Sequence, residues 1–200
     1  EHFLSMLDRL NIKNSINPKV TDNITEIIQY IQILIDNGNA YQSEGNVYFD
    51  MSKHMDYLDR TFHPNSQGQQ QTERMLNAHL DKKNSDDFCL WKNVKDNFGF
   101  DSPWGFGRPG WHIECSAMSN KYTEGRILNI HAGGSDLKYP HHTNEILQSI
   151  GFNGKPASHI WMHNGMLLIN GEKMSKSLNN FTYLHQYIQS HYHSDILRYL

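Results

Sequence analysis

The sequence lacks the features that mark a membrane protein, a disulfide-bonded protein or a polyanion-binding protein. It has two cysteines, Cys89 and Cys115, no apolar run near the roughly 20 residues of a membrane span, and no secretory signal pattern. We therefore expect a cytoplasmic protein without a disulfide and without a membrane segment. Its 18 basic and 21 acidic side chains give a net charge of −3, which predicts no strong, nonspecific binding of nucleic acid.

Length and composition are those of a globular chain. With 200 residues, of which 38% are hydrophobic and 12% aromatic, it can form one ordinary domain or part of a larger one. It begins with Glu1 rather than methionine, and residues 1–10 already have the pattern of an amphipathic helix. We expect that the chain starts inside a larger fold.

The first half has one strong helical pattern and one hairpin pattern. Residues 21–37 place isoleucine and leucine on one face, with Asn23 and Glu26 as a capping box at the start and Gly38 after the end. Residues 40–51 predict a β-hairpin with its turn at 43–45.

The second half alternates short apolar strands, glycine turns and helices. Alternation of this kind predicts an α/β fold with a parallel sheet, and such sheets bind ligands at the carboxyl ends of their strands. The predicted elements are a strand at 126–132, a turn at 133–136, a helix from Pro140 to about 150, a strand pair within 159–169, a tight turn at 170–171 and a helix at 182–192.

Three residues in this half have the chemistry of metal ligands. His141 and Glu145 are four positions apart on a predicted helix, which places their side chains on one face. With a thiolate from Cys115 they make a donor set that suits tetrahedral zinc, the fourth position being open to substrate or filled by a further residue. The alternative is a buried cysteine and an exposed helical pair. His142 is predicted to point away, as a structural or surface residue.

Two further segments have the chemistry of nucleotide contacts. Gly133 and Gly134 allow close approach to a base or ribose, and the Asp136 carboxylate can accept hydrogen bonds from ribose hydroxyls. Lys173 and Lys176, in the string KMSKS, carry two ammonium groups that can neutralise charge on a departing pyrophosphate. The alternative for that string is a solvated lysine loop.

Several motifs together resemble the cysteinyl-tRNA synthetases, which are class I aminoacyl-tRNA synthetases. Matching motifs follow one another closely from about residue 86 to 182. Before residue 86 the similarity is weaker, but its segments occur in the same order as in the family. The motifs are DDFCLWK (86–92), GRPGWHIECSAM (107–118), HAGGSDLKYPHHTNE (131–145), WMHNGML (161–167) and EKMSKSLNNF (172–181).

The resemblance implies a role for each matching residue. Cys115, His141 and Glu145 fall on three of the four protein ligands of a zinc ion that holds the thiolate of the substrate cysteine. The other implied contacts are Trp111, His131 and His141 for cysteine, Gly133, Gly134 and Asp136 for adenosine, and Lys173 and Lys176 as the catalytic lysines that close on ATP. The implied substrates are L-cysteine, ATP with magnesium, and tRNA(Cys), and the expected state is a monomer.

The sequence also departs from the family pattern. It contains no H-x-G-H string and no counterpart of the fourth zinc-binding cysteine, and Cys89 is interpreted as a core residue. We therefore expect residues 1–100 to be the end of the first Rossmann half and the connective insertion. Residues 101–200 would then be the second Rossmann half, with the KMSKS loop and the start of a helical linker. The anticodon-binding region would lie outside the sequence.

Three other functions are compatible with parts of this pattern. A cysteine ligase of the same fold that acts on an amino sugar would share the zinc, cysteine and ATP residues. A non-catalytic fragment or paralogue would explain the missing H-x-G-H string. A zinc hydrolase ranks last, because the KMSKS loop would have no function in it.

Overall fold

The computed structural model describes residues 2–13, 16–54, 82–95, 98–175, 179–181, 183–189 and 194–199. The chain forms two compact units. The larger unit is Pro18–Gly165, and the smaller unit combines Glu1–Asn17 with Met166–Leu200. The predicted boundary near residue 100, between insertion and second Rossmann half, stays a prediction.

The described residues contain helices and strands in both units. The helices are α1 (His2–Arg9), α2 (Ile24–Asp36), α3 (Trp111–Tyr122), α4 (Thr143–Asn153), α5 (Leu184–Gln189) and α6 (Ser194–Tyr199). The strands are β1 (Ala40–Ser43), β2 (Asn46–Phe49), β3 (Phe88–Asn93), β4 (Gly107–Pro109), β5 (Leu128–Gly134), β6 (Ser158–Asn164), β7 (Leu168–Ile169) and β8 (Glu172–Lys173).

Helix α2 is the predicted helix of the first half, and it buries the predicted face. Ile27, Ile31 and Leu34 are fully buried, because residues at these spacings share one side of a helix. The predicted capping box is wrong. The Asn23 side chain makes no cap hydrogen bond; its Nδ2 donates to the Lys19 carbonyl, and its Oδ1 accepts a hydrogen bond from Lys121 Nζ on α3.

An antiparallel sheet of four strands supplies the other side of the apolar core. Its order is β1-β2-β3-β4, and the predicted hairpin pairs Ala40 with Phe49. Helices α3 and α4 pack against α2, so that Ile113 and Leu147 join the same core. The sheet residues buried in this core include Val47, Phe49, Phe88, Leu90 and Trp91.

The parallel sheet that the sequence predicted is formed by β5 and β6. Its register runs from Leu128 opposite Ser158 to Gly134 opposite Asn164. Two details of the prediction are wrong. Gly133 and Gly134 belong to the strand rather than to the turn after it, and the segment 159–169 is not a strand pair, because β6 pairs with β5 and β7 pairs with β8.

The helical run that carries α4 begins where the sequence predicted, at Pro140, directly after a break in the helical backbone at Tyr139. Its first residues belong to an irregular helical turn, Lys138–His142, and regular α-helix begins at Thr143. Tyr139 has extended backbone angles (φ −139°, ψ 133°), and residues before proline favour that region over the helical one. His141 and His142 therefore lie just before the helix that carries Glu145.

The smaller unit contains α1, the β7–β8 hairpin, α5 and α6. The predicted tight turn is confirmed, with Asn170 and Gly171 both at positive φ. The predicted helix at 182–192 corresponds to Leu184–Gln189, and its ends at 182 and 190–192 lie outside the described residues.

Candidate metal centre and nucleotide-binding elements

Cys115, His141 and Glu145 come together in the larger unit. Helix α3 carries Cys115, the turn before α4 carries His141, and the first turn of α4 carries Glu145. One ligand atom from each lies within 4.8 Å of the others. His141 and Glu145 are buried and Cys115 is half-buried, so the group faces the interior rather than open solvent.

The Glu145 carboxylate shows that this group fits a cation. Its Oε1 atom is buried and makes no hydrogen bond to the described residues, although His141 Nε2 lies 3.0 Å away. A buried carboxylate oxygen without a partner is costly unless a positive charge compensates it. A thiolate, an imidazole and a carboxylate are the donors that a soft divalent ion such as zinc prefers.

The Cys115 thiol is held neutral in the absence of such an ion. Burial, together with the carboxylates of Glu145 and Glu114, raises its pKa to about 12. Metal binding needs the thiolate, so an ion entering this site must displace a proton from Cys115. The bound thiolate and the Glu145 carboxylate together would balance one divalent charge.

A second group of possible ligands overlaps the first. His131, His142 and Glu145 also bring ligand atoms within 4.8 Å of one another, and His131 Nε2 lies 3.6 Å from Glu145 Oε2. Because Glu145 is common to both groups, a second divalent ion would add two uncompensated charges to a buried site. That cost favours one ion, held with the Cys115 thiolate.

His142 is the structural residue that was one of its two predicted roles, and not the surface residue that was the other. It is 1% exposed, and its Nδ1 hydrogen-bonds His163 Nε2 on β6 at 2.7 Å. Burial, together with the neighbouring histidines, lowers the pKa of His142 to about 4. His142 thus fills the space between the parallel sheet and the ligand group as a neutral ring.

Trp111 and His131 border the same group. The Trp111 ring centre lies 4.4 Å from that of His141, yet the tryptophan is 56% exposed, which is unusual for a core residue. His131 stacks on Trp161, with ring centres 4.5 Å apart. These positions are compatible with the predicted wall of a pocket.

His112 is a buried neighbour of the site that the sequence reasoning missed. Its Nδ1 lies 2.7 Å from His141 Nδ1, and burial lowers its pKa to about 3, so that it is neutral near pH 7. Its spacing of three from Cys115 on α3 was a signal that it shares the face of that ligand.

The predicted nucleotide residues lie where a parallel sheet usually binds ligands. Gly133 and Gly134 end β5, and Asp136 follows in a short helical turn. Packing also explains why residue 133 is glycine: a Cβ atom at this position would lie 2.8 Å from Cε1 of His142. Glycine at 133 is therefore required for His142 to pack against the strand.

The KMSKS segment belongs to the smaller unit. Lys173 ends β8 with its side chain exposed, and Lys176 lies outside the described residues. The Asn180 side chain bridges the loop: its Nδ2 donates to the Lys173 carbonyl at 3.1 Å, and its Oδ1 accepts from Ser175 N at 2.8 Å. Asn180 was not singled out from the sequence.

Comparison with known proteins defines the class to which this fold and these motifs belong. All of residues 1–200 match the sequence model of the family described as tRNA synthetases class I (C) catalytic domain, and the chain belongs to that family. A solved structure with a similar fold is the Mycobacterium tuberculosis methionyl-tRNA synthetase in complex with methionyl-adenylate. It has a TM-score of 0.67 and 15% identity, and the match covers 98% of this chain and 49% of that one.

The similar curated proteins carry a more specific name. The cysteine–tRNA ligase of Carboxydothermus hydrogenoformans is 49% identical over 180 residues, which is 87% of this chain and 37% of the relative. That of Methanococcus vannielii is 46% identical over 200 residues, which is 99% of this chain and 41% of the relative. The chain thus spans about two fifths of the length of these relatives. None of its described helices is both long and apolar enough to cross a bilayer.

Proposed function

We propose that this chain is part of a cysteine–tRNA ligase, which activates L-cysteine with ATP and transfers it to tRNA(Cys). The observation that carries the proposal is the convergence of Cys115, His141 and Glu145 within 4.8 Å. The relatives named cysteine–tRNA ligase, at 46% and 49% identity, support the same substrate.

Cys115, His141 and Glu145 would hold a zinc ion. When bound, zinc supplies a soft Lewis-acidic centre that accepts the substrate's thiolate in preference to the hydroxyl of serine. The protein residues hold the ion in a buried place where the two anionic ligands balance its charge. Trp111 and His131 would shape the pocket around the substrate side chain and limit its access to water.

The remaining residues would bind and orient ATP. Gly133, Gly134 and Asp136 would accept the adenosine at the carboxyl end of β5, and Lys173 and Lys176 would neutralise the phosphates together with magnesium. The cysteine carboxylate would attack the α-phosphate, and pyrophosphate would leave. No side chain needs to form a covalent bond, so catalysis would rest on positioning and on charge stabilisation.

Cobalt spectroscopy tests the substrate assignment on this chain. Co²⁺ bound through Cys115 should give a sulfur-to-metal charge-transfer absorption band. Adding L-cysteine should change the metal spectrum, whereas the same concentration of L-serine should not change it. Cys115→Ser is the control that removes the band. An equal response to both amino acids, or no metal binding, would contradict the proposal.

Cysteine-dependent ATP–pyrophosphate exchange by the protein that contains this chain tests the activation step.

A further inference from the structure

His112 makes a contact with His141 that is not explained by core packing alone. The two rings approach Nδ1 to Nδ1 at 2.7 Å, a hydrogen-bond distance, and His112 is 5% exposed. Two neutral imidazoles can form this bond only if one Nδ1 carries the proton and the other accepts it. The contact therefore couples the tautomers of the two histidines.

The other nitrogen of His141 fixes the direction of this hydrogen bond. His141 Nε2 lies 3.0 Å from Glu145 Oε1, so Nε2 is the nitrogen that faces the candidate ligand group. A histidine that binds a metal through Nε2 must have its proton on Nδ1. His141 Nδ1 would then donate to His112 Nδ1, and the proton of His112 would lie on its own Nε2.

We infer that His112 is a positioning residue, which keeps His141 in the Nδ1–H tautomer so that its Nε2 is available to a metal ion. The inference rests on the proposed function, because it assumes that His141 is a ligand. Water is a poor substitute for His112 as an acceptor, since both rings are buried. Phe88 packs edge-on against the His112 ring, with centres 5.8 Å apart, and restricts its rotation.

Loss of the acceptor should have a specific consequence. Without His112 Nδ1, the proton of His141 is better placed on Nε2, 3.0 Å from Glu145 Oε1; the two groups are not aligned for a hydrogen bond in the present geometry, and rotation of the freed His141 ring would align them. His141 and Glu145 would then hydrogen-bond each other, and a metal ion would have to break that bond before binding. The tautomer of His141 thus decides whether these two ligands face an ion or each other.

Two substitutions separate this role from simple packing. His112→Asn keeps an acceptor oxygen near the position of Nδ1, whereas His112→Leu fills similar space without an acceptor. Ile31→Ala, in the apolar core on α2, is the control for general destabilisation, because Ile31 is fully buried among apolar side chains. All variants are compared in the 200-residue chain.

The first measurement is the tautomer of His141 in the metal-free chain, by long-range ¹H–¹⁵N NMR of the histidine rings. We expect the Nδ1–H form in the wild type, in His112→Asn and in Ile31→Ala, and a shift to the Nε2–H form in His112→Leu. An Nε2–H tautomer in the wild type, or an unchanged tautomer in His112→Leu, would overturn the inference. This readout does not depend on metal binding.

The second measurement is Zn²⁺ affinity by chelator competition. We expect His112→Leu to bind Zn²⁺ roughly 10–100-fold more weakly, the usual cost of losing a group that holds a metal ligand, with His112→Asn close to the wild type. Equal affinities for the Leu and Asn variants would overturn the inference. Absence of Zn²⁺ binding by the wild type would instead overturn the proposed function, which the NMR measurement does not test.

Discussion

The larger unit buries two regions of opposite character, an apolar core and a polar cluster. The apolar core lies between α2 and the antiparallel sheet and is made of aliphatic and aromatic side chains. The polar cluster lies among α3, α4 and the parallel sheet; its members are 5% exposed or less and include His112, His141, His142, Glu145 and Gln148. Polar side chains are rarely buried at this density without a functional reason.

The two regions also differ in how completely their atoms are paired. In the polar cluster, Glu145 Oε1 and Gln148 Nε2 are buried without a hydrogen bond to the described residues. The apolar core also contains such an atom, Trp91 Nε1, but it is a neutral N–H group rather than part of a carboxylate. The apolar core thus leaves no buried charge uncompensated among the described residues, whereas the polar cluster contains a buried carboxylate oxygen that a cation would compensate.

The largest expected effect is on the apolar core. Leu34→Ala should lower the free energy of unfolding by about 2–5 kcal/mol, because Leu34 is fully buried and its removal leaves a cavity. Ile33→Ala is the matched control on the same helix, since Ile33 is 38% exposed and should cost clearly less. Urea unfolding of the metal-free chain measures both. Equal losses for the two variants would contradict the assignment of this face as the core.

A change in the polar cluster should affect metal affinity more than stability. Cys115→Ser should weaken Zn²⁺ binding by about 100-fold or more, or about 2.7 kcal/mol, because a hydroxyl is a poor replacement for a thiolate. Cys89→Ser is the control, since Cys89 lies on β3 and belongs to neither candidate ligand group. Chelator competition measures the affinities. Similar affinities for the two variants would exclude Cys115 as a ligand.

Lowering the pH should reduce the free energy of unfolding of the metal-free chain, because His112 in the polar cluster is buried as a neutral ring. Burial lowers the pKa of His112 to about 3, whereas in the unfolded chain it titrates near its ordinary value of about 6.5. The unfolded chain therefore binds the proton first, and stability present above about pH 6.5 is lost as the pH falls toward 3. The loss from His112 approaches about 1.4 kcal/mol per pH unit.

Urea unfolding of the metal-free chain at about pH 7, 6 and 5 tests this dependence, in a range where most carboxylates stay ionised. His112→Asn should show a shallower fall in stability over the same range, because asparagine does not titrate. Parallel curves for the wild type and His112→Asn would show that His112 is not the group responsible.

The sequence predicted features that depend on local spacing and on the motifs. Helix α2 followed from the periodicity of its apolar residues, and the convergence of Cys115 with His141 and Glu145 followed from the spacing of the last two and the donor chemistry of all three. Their role as metal ligands stays a prediction. The parallel sheet followed from the alternation of strands and helices. Helix α2 and the His141–Glu145 pair depend on spacings of a few residues, which a sequence displays directly.

Predictions failed where distant residues compete for a side chain. Asn23 does not cap α2, because Lys121, 98 positions away, takes its side-chain oxygen. The surface alternative for His142 failed because His142 Nδ1 hydrogen-bonds Nε2 of His163 on β6, 21 positions away, and the contact of His112 with His141 joins residues 29 positions apart. The spacing of residues along a helix predicts which of them share a face, but it does not predict which distant residues that face contacts.

The parallel sheet offers the most direct comparison with the apolar core, because it also presents apolar side chains but does not bury them. Ile130, Ile160 and Met162 are each 53% exposed, on strands β5 and β6. Parallel strands are usually covered on both faces. Within the described part of the chain, this sheet therefore presents exposed apolar surface, to which we expect hydrophobic dyes to bind.

The smallest expected effect comes from making that surface polar. Ile160→Thr should change the free energy of unfolding by less than about 0.5 kcal/mol, because a half-exposed threonine hydroxyl stays in contact with water. Val47→Thr, on the buried strand β2, should cost about 1–3 kcal/mol, because the same hydroxyl enters an apolar core. Ile160→Thr should also reduce the fluorescence of bound anilinonaphthalene sulfonate, whereas Val47→Thr should not reduce it. If Ile160→Thr were as costly as Val47→Thr, the exposed side chain would have to pack against other residues in solution, and the contrast between the two sheets would fail.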